Sequence, residues 1–297
     1  MGKALAGAFP TARLLFEEVD DALSQRLSRI MFEGPESELM LTENAQPALL
    51  AVSLAVIRVL QSDASFEIGR QAAFVAGHSL GEYSALAAAG TFTVSDAARL
   101  VKRRGQAMQK AVPVGEGAMA ALLGLEIDAA REVAQAAGRD GVCAVANDNS
   151  AGQIVVSGHR AAVERAVALA AERGARRSIM LPVSAPFHCP LMQPAADVMA
   201  EALGEITLRE PAPPIVPNVT AAPTTDPEEI KELLVEQVTR MVRWRETVTV
   251  FAENQVEEVV EIGAGRVLAG LVKRIDRSLT ASSVGAPAEV EDLMQRL

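Results

Sequence analysis

Cysteine occurs only twice in the 297 residues, as Cys143 and Cys189. Two thiols without metal-ligand spacing build neither a disulfide framework nor a zinc site, so both are expected reduced and the chain cytoplasmic. Basic side chains are outnumbered, 28 Lys and Arg against 38 Asp and Glu, giving a formal net charge of −10. The only dense basic run, Lys102-Arg103-Arg104, is short and has no aromatic residues between its members. That excludes the cationic, base-stacking surface by which nucleic acid is bound. No uninterrupted apolar run approaches the roughly 20 residues a membrane helix needs, and "MGKALAGAFPTARLLFEE" turns amphipathic without a cleavable signal pattern, so no membrane partner is expected. An acidic chain repels anions at long range, and any anion it handles needs a local cationic site.

What is abundant is ordinary for a folded enzyme: 49% apolar and 22% charged residues. The length suits two unequal lobes. "AQPALLAVSLAVIRVL", from Ala45 to Leu60, is apolar nearly all round and reads as a buried helix with Pro47 in its first turn. "QAAFVAG" reads as a buried strand, followed by a helix through "LGEYSALAAAG" and another from Val94 to Ala111 opened by a cap at Thr93. Between Gly117 and Val183 the order becomes strand, helix, strand, the turn "DNSAG", strand, helix, strand, a split βαβ or ferredoxin-like pattern. We therefore expect an α/β protein with a parallel sheet in a large lobe built from residues 1–115 and 186–297, and an inserted small lobe over 116–185. After the insert come a helix over Pro190 to Leu203, the strand "PIVPNV", helices between Pro227 and Asn254, the strand "EEVVEIGAG", the helix "RVLAGLVKRI" and a last strand near "LTASSVG".

Gly77-His78-Ser79-Leu80-Gly81 matches G-x-S-x-G with an apolar strand before it and a helix after it, the context in which that motif presents a nucleophile. Glycines on both sides are expected to remove Cβ atoms that would clash at the sharp turn. Ser79 then stands at a helix N-terminus, where the dipole and the Leu80 N–H favour an oxyanion. The alternative is a small-residue turn without chemistry. A serine nucleophile needs a base, and only His78, His159 and His188 exist. His78 adjoins the nucleophile and suits a turn or pocket role, His159 ends a small-lobe strand and suits the surface, and His188 in "SAPFHCPLM" is the candidate base. Arg104 could grip a carboxylate through two parallel hydrogen bonds, although spacing alone favours a solvated Lys102-Arg103-Arg104 face.

Taken together, "GHSLGEYSAL", "RRGQAMQKAVPVGEGAMAAL", "QPALLAVSLAVIRVLQ", "ANDNSAGQIVVSGH", "LPVSAPFHCPLMQPAAD" and "EIGAGRVLAGLVKRI" resemble the malonyl-CoA:acyl-carrier-protein transacylase family, in order and along the whole chain. The resemblance implies an α/β-hydrolase-like large lobe with a ferredoxin-like insert. It implies Ser79 as the acylated nucleophile, His188 as the base and Arg104 as the clamp on the malonyl carboxylate. Gln237 matches the glutamine whose neighbourhood orients the histidine, and Gln46 and Asn149 match pocket positions. Phe187 resembles the malonyl-selective form of its motif, since a bulky ring leaves less room for an α-methyl branch. Malonyl-CoA and acyl carrier protein are the implied partners, with no cofactor beyond the CoA thioester and the carrier's pantetheine. Family members begin with a strand ending in F-P-G-Q-G-S-Q, whose glutamine gives the oxyanion a second backbone donor. The resemblance starts after that segment, so Met1 is expected to be an internal methionine.

Two other functions share some of these features. A serine hydrolase of the lipase or thioesterase type has the same elbow but needs an acid partner for its histidine and has no use for Arg104. A carrier-protein-binding scaffold without catalysis would need neither Ser79 nor His188.

Overall fold

The Thr42–Asp63 helix runs through the largest hydrophobic core of the computed structural model, which describes residues 1–297. It is the one helix long and apolar enough to cross a membrane, yet 67% of its apolar window is buried inside the protein, as befits a core helix. Helices Pro10–Leu23, Val94–Ala111 and Gln193–Gly204 contribute to the same core. The central helix starts earlier than its apolar pattern predicts. Asn44 Nδ2 donates to the Glu38 carbonyl at 2.9 Å and ties down an additional turn. Pro47 therefore lies inside the helix rather than in its first turn, and its missing N–H leaves the Glu43 carbonyl without the usual helical donor.

The Val94–Ala111 helix has its expected bounds, and Thr93 Oγ1 accepts the Asp96 N–H at 3.0 Å as an N-cap. Its Gly105 touches the start of the central helix: a Cβ there would lie 2.6 Å from Glu43 Cα and 2.7 Å from the Thr42 carbonyl oxygen. This close approach brings Arg104 and Gln46 within reach of each other.

Strands β1 (Gly117–Leu123), β2 (Cys143–Ser150), β3 (Gln153–His159) and β4 (Arg177–Met180) form an antiparallel sheet in the order β2-β3-β1-β4. Helices Ile127–Ala137 and Arg160–Glu172 cover it around a separate core from Ala118 to Ala170. One expectation is corrected: "DNS" belongs to β2, not to the turn. Register shifts at Val145/Asn147 and Asp148/Ser150 accommodate these polar residues as bulges, which places Asn149 on a strand.

The parallel sheet expected elsewhere is less continuous. Strands β5 (Glu258–Ile262) and β6 (Thr280–Val284) pair in parallel, joined through the helix Val267–Ile275. The segments read as strands "QAAFVAG" and "PIVPNV" pair only at Val75 and Ile215, through Val75 N–H to the Pro214 carbonyl at 3.0 Å and Val216 N–H to the Val75 carbonyl at 2.9 Å. Pro214 has no N–H to extend the ladder one way; the other way the Asn218 N–H goes to Glu82 Oε2 and the Gly77 carbonyl takes the Asn218 side chain instead. Helix Pro190–Leu203 begins instead as a 3₁₀ turn over Pro190–Met192, and the sequence reading did not anticipate the C-terminal helix Pro287–Met294.

The antiparallel sheet is fastened to the rest beside the future site. Asp148 N–H donates to the Val242 carbonyl and Val242 N–H to the Ala146 carbonyl, both at 2.9 Å. Arg245 Nη2 lies 2.8 Å from the buried Asp148 carboxylate.

Candidate active site

Ser79 occupies the bend between the extended run ending at Gly77 and the helix Leu80–Ala88, with φ 54° and ψ −112°. A non-glycine residue is strained there and persists only where its surroundings hold it. Asn218 provides much of the hold: its Oδ1 accepts the Ser79 N–H at 2.7 Å, and its Nδ2 donates to the Gly77 carbonyl at 2.7 Å. Gln237 Nε2 donates to the Ser79 carbonyl at 3.0 Å. The two glycines of the motif differ. A Cβ on Gly77 would lie 2.0 Å from the Gly81 backbone, so no side chain fits, whereas one on Gly81 would meet nothing within 4 Å. Contrary to expectation, Gly81 relieves no clash and instead leaves open space in a cavity it lines.

Ser79 Oγ is 2.8 Å from His188 Nε2. His188 Nδ1 lies 2.8 Å from the Gln237 carbonyl oxygen, which can only accept, so Nδ1 carries the proton and Nε2 is left bare to receive the serine's. His188 is 4% exposed and has φ 58°, so both partners of this bond sit on left-handed backbone. Burial, then the nearby Arg104 charge, depress the His188 pKa to about 3, against the pull of the Gln237 carbonyl. The imidazole is neutral near pH 7.

Arg104 is 1% exposed, which overturns the solvated face that spacing favoured. Its Nη1 donates to Gln46 Oε1 at 2.7 Å, and its Nη2 to Gln237 Oε1 at 2.8 Å and to Ser79 Oγ at 3.1 Å. The guanidinium also lies over the Tyr83 ring, 5.6 Å from its centroid. Only neutral acceptors touch it, and its Nε has no partner. Burial lowers its pKa from the ordinary arginine value, and a pKa starting that high leaves the group charged.

Ser79, His188, Arg104, Gln46 and Gln237 thus form one hydrogen-bonded set. His78 and Asn149 form a separate pair, with His78 Nε2 and Asn149 Oδ1 2.8 Å apart and the imidazole tilted against Trp244. Burial lowers the His78 pKa, so this ring too is neutral. His159 is a structural acceptor, taking the Val142 N–H on Nδ1 at 2.9 Å. Phe187 packs between the main core and the small cluster of Met119, Ala146 and Val155. The Leu80 N–H, at the helix start, has no acceptor within the chain. Leu80, Gly81, His78 and Asn149 line a cavity of about 320 Å³ that extends to Glu261 and Val267. A larger surface hollow of about 450 Å³ is walled by Glu17, Glu18 and Asp21 and holds none of the site residues. Its carboxylates repel an anion.

Sequence reasoning missed Asn218 and Glu82. Glu82 is 1% exposed, and its Oε2 accepts both the Asn218 N–H at 3.0 Å and Gln237 Nε2–H at 2.8 Å. A signal for it was present: it is the lone charge in the otherwise apolar helix "LGEYSALAA", and a lone charge in such a helix is buried only with partners. Asn218 had no comparable signal, because it is one polar residue within "PIVPNV", which reads only as a strand. No group of three or more His, Cys, Asp or Glu side chains is placed to hold a metal ion.

The model of the family described as "Acyl transferase domain" matches residues 1–296. The chain is 44% identical over 298 residues to the malonyl CoA-acyl carrier protein transacylase of Bacillus subtilis, covering 100% of this chain and 92% of that protein. Its structure resembles that of an acyl-carrier-protein-S-malonyltransferase from Bartonella henselae, with TM-score 0.97, 53% identity, and coverage of 100% of this chain and 94% of that one. It also resembles a malonyl-transacylase solved in complex with a type II PKS acyl-carrier protein, with TM-score 0.96, 41% identity, and coverage of 100% and 95%.

Proposed function

The chain belongs to the acyl transferase domain family, and from that premise we propose that it moves a malonyl group from malonyl-CoA to the pantetheine thiol of an acyl carrier protein, through an ester on Ser79. The observation that carries this reading is the double contact of one oxygen: Ser79 Oγ touches His188 Nε2 at 2.8 Å and the buried Arg104 guanidinium at 3.1 Å. A cation so close to the nucleophile suits an acyl group whose far end is an anion only one carbon from the reacting carbonyl. Malonyl has that form.

In the first half-reaction His188 takes the serine proton as Ser79 Oγ attacks the thioester carbon, and the unpartnered Leu80 N–H meets the oxyanion. Collapse expels CoA, whose thiolate recovers the proton from His188. In the second half the carrier thiol gives its proton to His188, attacks the ester and leaves as the malonyl thioester, while His188 returns that proton to the departing Ser79 Oγ. Arg104 contributes twice. It orients the acyl group, and once paired with the malonyl carboxylate it repels the imidazolium less, so His188 becomes a better base when substrate is in place. The pantetheine arms would lie in the 320 Å³ cavity, whose lining includes both sequence neighbours of Ser79, His78 and Leu80.

All the groups in this scheme come from the chain itself, so no cofactor is required. Phe187 would crowd an α-methyl branch and favour malonyl over methylmalonyl. The setting we propose is the cytoplasm, where Cys143 and Cys189, both free, remain thiols. A hydrolase fits less well, because the partner of His188 Nδ1 is a backbone carbonyl rather than a carboxylate and a buried arginine beside the nucleophile has no role in it.

Intact-mass spectrometry after addition of malonyl-CoA tests the proposal. The parent chain should gain one malonyl group, Ser79→Ala should gain none, and His188→Ala should gain it far more slowly. An adduct persisting in Ser79→Ala, or rapid release of free malonate in place of a stable ester, would refute it.

A further inference from the structure

Glu82 bonds to neither Ser79 Oγ, nor His188, nor Arg104, yet both residues that bond to it hold the bend. Gln237 donates from Nε2 to Glu82 Oε2 and the Ser79 carbonyl, and accepts from Arg104 Nη2 on Oε1. Asn218 gives its backbone N–H to the same Glu82 oxygen while its side chain holds Ser79 N–H and the Gly77 carbonyl. A side-chain amide turned end for end exchanges donor and acceptor. For Gln237 that would set oxygen against two oxygens and NH₂ against a guanidinium, replacing these bonds with repulsions. Arg104 enforces the observed orientation only while its own charge is unpaired. A carboxylate arriving on the guanidinium attracts the NH₂ end and weakens that preference, and what still opposes the flip is Glu82, with the Ser79 carbonyl.

We propose that Glu82 is a positioning residue for anionic acyl groups: its Oε2 locks Gln237 and Asn218 so that Arg104 and Ser79 keep their relative geometry as the carboxylate binds. The inference rests on the transfer reading above. Burial raises the Glu82 pKa to about 7, although Gln237, Asn218 and Arg104 all favour its ionised form. Two donors already occupy Oε2, so a proton would sit on the other oxygen and leave the acceptor intact. The role therefore requires an oxygen at that point rather than a charge.

Glu82→Gln keeps such an oxygen and Glu82→Ala removes it. We expect Glu82→Gln to retain kcat/KM for malonyl-CoA within about threefold, and Glu82→Ala to lose about 100-fold, the scale of a misplaced reacting group. With acetyl-CoA, which has no carboxylate for Arg104, Glu82→Ala should lose much less, so the malonyl-to-acetyl preference collapses. A merely structural residue would lower both rates alike, and an unchanged preference in Glu82→Ala overturns the proposal. So does a Glu82→Gln variant as impaired as Glu82→Ala, and this arm decides alone if the alanine variant does not fold. In a Gln237→Ala background, Glu82→Ala should leave the preference where it is; a further fall also overturns the proposal. Crystal structures give an arm independent of turnover. In Glu82→Ala crystals soaked with malonate, Gln237 Nε2 should leave the Ser79 carbonyl, whereas the parent soaked alike keeps that bond, and an unchanged contact in the variant refutes the positioning role. A parent chain that gains no malonyl mass would refute the transfer reading instead.

Discussion

The two faces of the Val94–Ala111 helix carry adjacent arginines to opposite fates. On the outer face Arg103 is paired with the carboxylates of Glu201 and Glu205 in solvent. On the inner face Arg104 is buried and touches only amide and hydroxyl oxygens. Direct contact with a carboxylate neutralises a cation. Contact with amides satisfies its donors and leaves the charge available to an incoming anion. The Glu82 carboxyl group stands one residue away, behind Gln237. A protein with net charge −10 thus keeps one buried cation out of direct contact with any carboxylate.

Three substitutions bear on that contrast. The largest effect is expected from Arg104→Ala, which should lower kcat/KM for malonyl-CoA by about 10³-fold, as for a site deprived of its bidentate carboxylate partner. A loss under tenfold would show that the inner arginine is no more a ligand group than the outer one. Next comes Gln46→Glu, which puts a carboxylate where an amide oxygen lies 2.7 Å from Arg104 and makes the inner face resemble the outer. KM for malonyl-CoA should rise by roughly 10- to 100-fold without a fall in melting temperature, because the new charge is paired and not stranded. An unchanged KM would mean that the Arg104 charge is not held for substrate. The smallest effect belongs to Arg103→Ala. Exposed ion pairs contribute about 0.5 kcal/mol or less, so chemical denaturation and steady-state rates should match the parent, and a kinetic defect would break the distinction between the faces.

How much of this was legible in the sequence depended on how local its cause was. The antiparallel sheet between Gly117 and Met180 could be read strand by strand, because its apolar runs and turns alternate over short distances. The bounds of the Val94–Ala111 helix followed from the Thr93 cap. The parallel pairing at Val75 was overestimated: two apolar runs looked like long strands, but Pro214 ends the ladder on one side and the capture of the Asn218 N–H by Glu82 ends it on the other. The sharp bend at Ser79 was visible because the constraint at Gly77 is local. Burial of Arg104 was not, since nothing in Lys102-Arg103-Arg104 tells which of three consecutive cations turns inward; only the family resemblance singled it out. Asn218 stayed hidden for a similar reason. Its bonds cross 139 and 141 residues of sequence, and no periodicity reports a contact at that range.

The bare Cα at position 105 has a consequence for which acyl groups this scaffold can come to accept. The wall bearing Gln46 and the wall bearing Arg104 meet there main chain to main chain, so no change of rotamer can move them apart, and any substituent at 105 would wedge them open at the cost of both helices. On the function proposed above, room for a bulkier acyl group therefore has to be found away from this seam. The juxtaposition of Gln46 and Arg104 is thereby set by backbone and not by side-chain packing.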